Sequence, residues 1–396
     1  MATALLINLK SLMYTLFILP IRAAWGFMFS LCGKKKKKRL RCDLYFFIVI
    51  LVVVSIFTST SNISSIYHWI KGKAFIKLLT LYVIMDLSDV LSRSVGKDLI
   101  YCLARDVFYK KNCVKATILL CIHTLAHTYI LLFQMLTLNS VLKSSVDTFF
   151  LFLLSNNFTE IKVFVFKKTD SLKLFDIATR DVTERLQQYI YICYLLLSNY
   201  LDQWTLTAIG IFCVVEFGVD WIKHFFFGND NGHHPTIYLS HKDLICRILR
   251  NCFNRRIESE GPDENKLEKE PEKEDILKDL NIESNEGDSK NQKNFIDQCN
   301  RTKDVLCKSQ AKDMMLYRYT LNEFYNVSLF QNFLILPQTC LILRLFFSIM
   351  REKEFLIDDI FIIVILIIPC GLIAERLLSY LIHSISRTAG NISLHV

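Results

Sequence analysis

Four ionisable residues interrupt one apolar stretch, IFCVVEFGVDWIKHFFF, at Glu216, Asp220, Lys223 and His224. Positions 216, 220 and 224 recur every fourth residue, so on a helix the two acids and the imidazole project from nearly one face, with Lys223 beside them. Charges inside a long apolar helix are costly and turn toward a protein interior or a watery cavity. Three chemistries are open to such a cluster. Lys223 can neutralise the acids near a membrane boundary and lock helices together, the group can carry protons or cations, or it can hold a metal.

The remaining candidates are weaker. His123 and His127 are spaced i, i+4, as on a zinc-binding helix face, but no carboxylate completes an HExxH arrangement, so packing histidines are expected. His233 and His234 lie in a Gly- and Asn-rich stretch and read as solvated. Asp89 and Arg93, also i, i+4, form a helix-supporting acid-to-base pair. Arg344 sits in an apolar run and must snorkel or find a partner, for which Asp358 and Asp359 are suitable acids. The 13 cysteines include no C-x-x-C pair, and several lie in apolar runs where they act as small hydrophobes. No Walker loop, G-x-G-x-x-G, G-x-S-x-G or HExxH signature occurs. The expectation is a protein that is not an enzyme and uses no cofactor or metal.

The elements that must position these residues are membrane helices. Of the 396 residues, 52% are hydrophobic, and they come in blocks. The blocks are Leu44 to Phe57, Ala116 to Leu142, Tyr189 to Leu201, Leu206 to Phe227, Leu329 to Met350 and Leu356 to His383. Runs of about 20 apolar residues match a hydrocarbon core of roughly 30 Å, and only a helix satisfies its backbone there without help. Six crossings are the minimum. Leu5 to Cys32, which contains Pro20 and Arg22, is either an interfacial segment or a seventh, broken span.

Lys34, Lys35, Lys36, Lys37, Lys38, Arg39 and Arg41 form a basic run directly before the Leu44 block. The positive-inside rule turns this run to the cytosol, beside anionic lipid headgroups; nucleic-acid binding is not expected. Phe75 to Val95 carries Lys77, Asp86, Asp89 and Arg93, reads as amphipathic and need not cross. Lys143 to Gln188 is too polar to span and is expected on the membrane surface or against the bundle. Arg255 to Lys312 is dense in charge, poor in aromatics and predicted to be a disordered acidic loop. The whole divides into an N-terminal apolar segment with its basic run (1–42), a first membrane part (43–228), a polar loop (229–315) and C-terminal membrane helices (316–396). The predicted class is all-α, a polytopic bundle of about six to eight spans with amphipathic surface helices. Five N-x-S/T sequons, at Asn62, Asn157, Asn300, Asn326 and Asn391, offer topology markers.

Several motifs in order resemble the transmembrane anterior posterior transformation protein family. They are Leu19-Pro-Ile-Arg, Tyr67-His-Trp-Ile-Lys-Gly, Ile76-Lys-Leu, Gly96-Lys-Asp, Ser155-Asn-Asn-Phe-Thr-Glu-Ile-Lys, Val165-Phe-Lys-Lys, Leu174-Phe, Asp181-Val-Thr-Glu-Arg-Leu, Val219-Asp-Trp-Ile-Lys-His-Phe-Phe and Leu336-Pro-Gln-Thr-Cys-Leu-Ile-Leu-Arg. The resemblance covers nearly the whole chain apart from the acidic loop. It implies a multi-pass protein of the endoplasmic reticulum that supports folding, quality control or trafficking of client proteins. It also implies a membrane partner of SUN-domain-like type and, from animal relatives, a link to the primary cilium. No catalytic residue is carried over. On resemblance alone, the stretch from SNNFTEIK to ERLQQ is the expected interaction element. The competing expectation is a transporter or ion pathway through Glu216, Asp220 and His224; a third is a lipid-handling enzyme with a lateral groove.

Overall fold

A computed structural model describes residues 2–31, 38–109, 113–165, 171–198, 202–230, 238, 241–242, 245–246, 327–329, 331–352 and 369–382. Among these residues the protein is all helix. In chain order the helices are α1 (Ala2–Met13), α2 (Leu19–Leu31), α3 (Lys38–Thr60), α4 (Ile63–Lys71), α5 (Phe75–Phe108), α6 (Val114–Leu142), α7 (Val146–Val165), α8 (Ser171–Ser198), α9 (Gln203–Asp230), α10 (Ile335–Glu352) and α11 (369–382). Four stretches are long and apolar enough to cross a membrane: Ala2–Met28, Leu40–Thr60, Val114–Leu142 and Gln203–Phe226. The Leu44, Ala116 and Leu206 blocks are three of them.

The N-terminal stretch is helical over a membrane-spanning length, which matches the broken-span alternative by length and composition. Its break is a π-helical turn, Tyr14–Ile18, that ends just before Pro20. Proline has no amide to give and its ring crowds the carbonyl four residues back, so a widened turn there lets the helix continue. Arg22 is neutralised across the α2–α3 hairpin, its Nε donating to Asp43 Oδ2 at 2.8 Å.

α5, expected as an amphipathic helix that need not cross, is not among the four membrane-length apolar stretches and packs closely in the bundle. Its 34 residues make a rod about 51 Å long. Val83, Leu87, Leu91 and Val95, spaced by four, are exposed, whereas Asp89 and Arg93 are buried. An aqueous helix shows its charges and hides its apolar stripe; this one does the reverse, as a helix between lipid and protein must. α5 and α6 form the most extensive helix pair. Their approach depends on Gly96, where a Cβ would lie 2.4 Å from Leu334 Cδ1 and 2.7 Å from His123 Cε1. Gly96→Val is expected to destabilise the protein by about 1–3 kcal/mol through overpacking. Gly210→Val, at a site with nothing within 4 Å, is the matched control, and melting curves in detergent compare the two.

The stretch from Lys143 to Gln188 takes the second of its two expected places, against the bundle. α7 buries Phe149 and Phe152 against α9, and α8 runs through the bundle. The Tyr189 block is therefore the second half of α8. The Leu329 block is broken as well. Residues 327–329 are helical, and Phe333 N donates to the Ser328 carbonyl (2.9 Å) while Asn332 N donates to the Leu329 carbonyl (3.1 Å). Asn332 has φ 60°, the left-handed turn that closes a helix in this double-bonded way. α10 starts afresh at Ile335, with Pro337 in its first turn where no amide is needed. The acidic loop, Lys34 to Lys37, His233, His234, Asp358, Asp359, Asn300, Asn326 and Asn391 lie outside the described residues. So does the first part of the Leu356 block; its last part is α11.

Among the described residues two large apolar cores result, beside smaller clusters. One gathers α3, the C-terminal half of α5, the start of α6 and the Phe333–Leu336 turn; the other gathers the C-terminal half of α6 with α7, α8 and α9. α8 lies where the polar faces of their helices converge.

Candidate functional site

Two stripes of polar residues run along α8. Arg180, Glu184, Gln187 and Tyr191 are spaced 4, 3 and 4 and look toward α5 and α6; Asp181, Arg185 and Gln188, spaced 4 and 3, look toward α9. This spacing puts each set on its own helical face about one residue's rotation apart.

The α9 side assembles the four residues singled out in the sequence. Arg185 reaches across with Nε donating to Asp220 Oδ2 (2.5 Å), one terminal nitrogen to Glu216 Oε2 (2.7 Å) and the other to the Glu216 backbone carbonyl (3.0 Å). Gln188 Nε2 also donates to Glu216 Oε2 at 3.3 Å. Lys223, 1% exposed, bridges Asp220 (2.8 Å) and Asp181 (3.3 Å). His224 Nε2 lies 3.1 Å from Asp181 Oδ2, and its Nδ1 is 2.9 Å from the Tyr238 hydroxyl. Burial and then the Asp181 carboxylate push the Tyr238 phenol up to about 12, so Tyr238 stays a neutral hydroxyl at physiological pH. Glu216 sits 13 residues beyond Gln203 and 10 before Phe226, about 20 Å and 15 Å along the membrane-length stretch, whereas Lys223 and His224 lie within one turn of its Phe226 end.

This geometry fits the lock reading and adds a second cation to it. Lys223 does pair with Asp220, but the principal counter-ion is Arg185, whose planar fork engages both acids at once. Arg185, Asp181, Gln188 and Tyr238 were not among the sequence candidates. A signal existed: Asp181, Arg185 and Gln188 repeat at helical spacing, beginning inside the Asp181-Val-Thr-Glu-Arg-Leu motif. The ERLQQ half of the expected interaction element therefore faces inward, with Leu186 and Gln187 buried. On α7, Phe158 of the SNNF half is exposed, as is Leu154 just before it.

The second network lies between α5, α6 and α8. Asp89, 1% exposed, is 2.6 Å from His127 Nε2 and 3.3 Å from Arg93, and accepts from Gln187 Nε2 at 3.4 Å. Arg93 also faces Glu184 at 3.8 Å, and Arg180 joins Glu184 (2.5 Å) to Asp86 (3.3 Å). The Asp89–Arg93 pair expected from spacing is present and is one part of a larger net. His123 and His127 serve different groups on α5, His123 Nε2 donating to the Ser92 carbonyl at 3.0 Å. Both histidines act in helix packing.

Among the described residues Arg344 meets a helix end. Its Nε donates to Ser61 Oγ (3.1 Å) and a terminal nitrogen to the Ser61 carbonyl (2.8 Å), directly after α3. The last carbonyls of a helix carry partial negative charge and lack intrahelical donors, so a guanidinium there meets both needs. Arg344→Met is expected to cost about 1–2 kcal/mol, read as a lower melting temperature, because it removes the cation from that helix end while keeping apolar bulk. At the N-terminal side, Lys10 pairs with Glu375 of α11 at 3.5 Å. Of the two sequons described, Asn62 is exposed and caps α4, whereas Asn157 is buried with its Nδ2 donating to the Leu153 carbonyl, so only Asn62 presents an amide to solvent.

A cavity of about 10 Å³ between α6 and α8, lined by Met135, Asn139, Tyr191 and Leu195 among others, has room for about one water. Glu216 and Asp220 do not line it.

A family model described as "Eukaryotic membrane protein family" matches residues 36–390. "Endoplasmic reticulum membrane protein 65" of Schizosaccharomyces pombe is 28% identical over 225 residues, which is 50% of this chain and 35% of that protein. "Protein TAPT1 homolog" of Caenorhabditis elegans is 28% identical over 268 residues, 62% of this chain and 36% of that protein. "Transmembrane anterior posterior transformation protein 1 homolog" of Homo sapiens is 26% identical over 282 residues, 64% of this chain and 49% of that protein. The matched stretches span about a third to a half of the length of these curated relatives. No solved structure matches. The resemblance read from the ordered motifs holds. Relatives named for the endoplasmic reticulum membrane, together with the membrane-length helices, place this chain in that membrane.

Proposed function

We propose that this chain, which belongs to the eukaryotic membrane protein family, is a non-enzymatic scaffold. In this reading it supports folding, quality control or trafficking of client proteins in the endoplasmic reticulum membrane, through a partner membrane protein. The observation that supports it is the closure of the polar cluster: Arg185 and Lys223 direct their donors to Glu216, Asp220 and Asp181, side chain to side chain. Buried charges paired with opposite charges on a neighbouring helix hold the helices in register, whereas a reaction centre keeps a group free for its substrate. With the charges between α8 and α9 used internally, these helices offer partners their outward apolar faces, which also contact the bilayer. A SUN-domain-like partner and a role in cilium formation are finer proposals that rest on resemblance alone.

Affinity purification from native membranes in mild detergent tests the reading. A reproducible membrane-protein partner is expected, enriched over an unrelated multi-pass protein of the same membrane. Finding none in repeated preparations removes the scaffold reading.

The depth of Glu216 within α9 favours one second reading, an ion pathway through Glu216, Asp220 and His224. It requires flux through purified protein in liposomes that Asp220→Asn abolishes. The bidentate engagement of both acids by Arg185 leads us to expect no flux above that of empty liposomes.

A further inference from the structure

The break between residues 329 and 335 brings together polar side chains that belong to neither charge network. Ser328 lies on its short helical turn and Gln331 directly after it, and both are wholly buried. On α1, Ser11 meets Ser328, and Asn8, also buried, lies one turn before Ser11 on the same helix face. The Ser328 hydroxyl donates to Ser11 Oγ at 2.7 Å, which fixes the two turns against each other. From α8 the buried Thr183 hydroxyl approaches the Gln331 carbonyl at 3.4 Å, and from α5 Lys97 Nζ donates to Asn332 Oδ1 at 2.7 Å.

Within this enclosure both amide atoms of the Asn8 side chain and both of the Gln331 side chain have no hydrogen-bond partner among the described residues. Four unpartnered amide atoms at such depth are a heavy penalty in a bundle surrounded by lipid, where no bulk water can reach them. Helix breaks inside membrane proteins are tolerated where they are buried in protein or line a watery space. Two of the four groups donate and two accept. The neighbouring cations are engaged, Lys10 by Glu375 and Lys97 by Asn332. The enclosure therefore suits a neutral ligand that both donates and accepts, not an ion.

We propose that Asn8, Ser11, Ser328 and Gln331 form an internal hydration site in which bound water bridges α1 to the break before α10. The water supplies the partners that the two amides lack and keeps the Gln331–Leu334 turn from closing into continuous helix. The site is independent of the scaffold reading and stands or falls without it.

Radiolytic hydroxyl labelling of the full chain in lipid nanodiscs tests it, because radicals formed from bound water mark the side chains beside them. Labelling of the peptide covering 327–334 is expected several-fold above that of 49–57, the apolar middle of α3. The Asn8→Leu, Gln331→Leu double variant is expected to lose that excess. Wild-type labelling of 327–334 no higher than 49–57 overturns the proposal, and so does an excess that survives in a folded double variant. If the double variant does not fold, Asn8→Leu alone, which leaves the 327–334 peptide unchanged, replaces it, and a retained excess there counts against the site in the same way.

Discussion

Arg185→Ala is expected to lower the stability of the solubilised protein by about 3–5 kcal/mol, the range for removing one member of a buried ion pair. The loss comes less from the missing attraction than from what remains: Glu216 and Asp220, both buried, facing each other's charge with Lys223 as the nearest cation. Melting in detergent, followed by fluorescence size-exclusion chromatography, measures it. Arg185→Lys is expected to fall between, since an ammonium supplies charge but cannot span two carboxylates and a backbone carbonyl in one plane. Neutralising the acids in the Arg185→Ala background, with Glu216→Gln and Asp220→Asn, should restore much of the loss. If Arg185→Ala melts within about 1 kcal/mol of wild type, as an exposed pair would, the lock does not exist.

Asp89→Ala is the second large effect, again about 3–5 kcal/mol, because this carboxylate alone serves Arg93, His127 and Gln187 from three helices. Its removal leaves a buried guanidinium whose remaining acid, Glu184, is 3.8 Å away and shared with Arg180. Asp89→Asn should cost less, since an amide oxygen still accepts one of the three bonds. Arg185 and Asp89 act on different faces of α8 with no shared side chain, so the two effects should add to within about 0.5 kcal/mol. Strong coupling between them in a double-mutant cycle would show instead that α8 transmits strain from one network to the other.

These networks explain which parts of the fold the sequence disclosed. Leu44 to Phe57 and Ala116 to Leu142 announce themselves because long apolar runs have one stable home. α5 does not, and the reason is physical. A stripe of Val83, Leu87, Leu91 and Val95 beside Asp89 and Arg93 has the same period whether the charges face water or the bundle interior. Only the neighbours decide, and His127 and Gln187 are 38 and 98 residues away from Asp89 along the chain. The same holds for α8, whose charged first half reads as surface until Glu216 and Asp220 are known to oppose it.

For the candidate site, spacing correctly placed Glu216, Asp220, Lys223 and His224 together, because a helix guarantees which residues share a face. It could not supply Arg185, which arrives from another helix. Arg344 shows a different limit. A search for acids overlooked the end of α3, whose carbonyls carry no letter in the sequence. The break at Asn332 was partly legible, since asparagine tolerates the left-handed turn and Pro337 favours a fresh helix start, but both sit inside an apolar block that invites a single span.

If the intramembrane charges hold the bundle together while the chain's work is done through a partner, the two roles can be separated. The most direct measurement is partner capture by the Arg185→Gln, Glu216→Gln, Asp220→Asn triple variant from native membranes, with its melting temperature recorded alongside. A neutral, hydrogen-bonding replacement of the lock should melt well above Arg185→Ala and capture the same partner at the wild-type level. A triple variant that is folded and stable yet captures nothing would contradict this division, because the charges themselves would then carry the function.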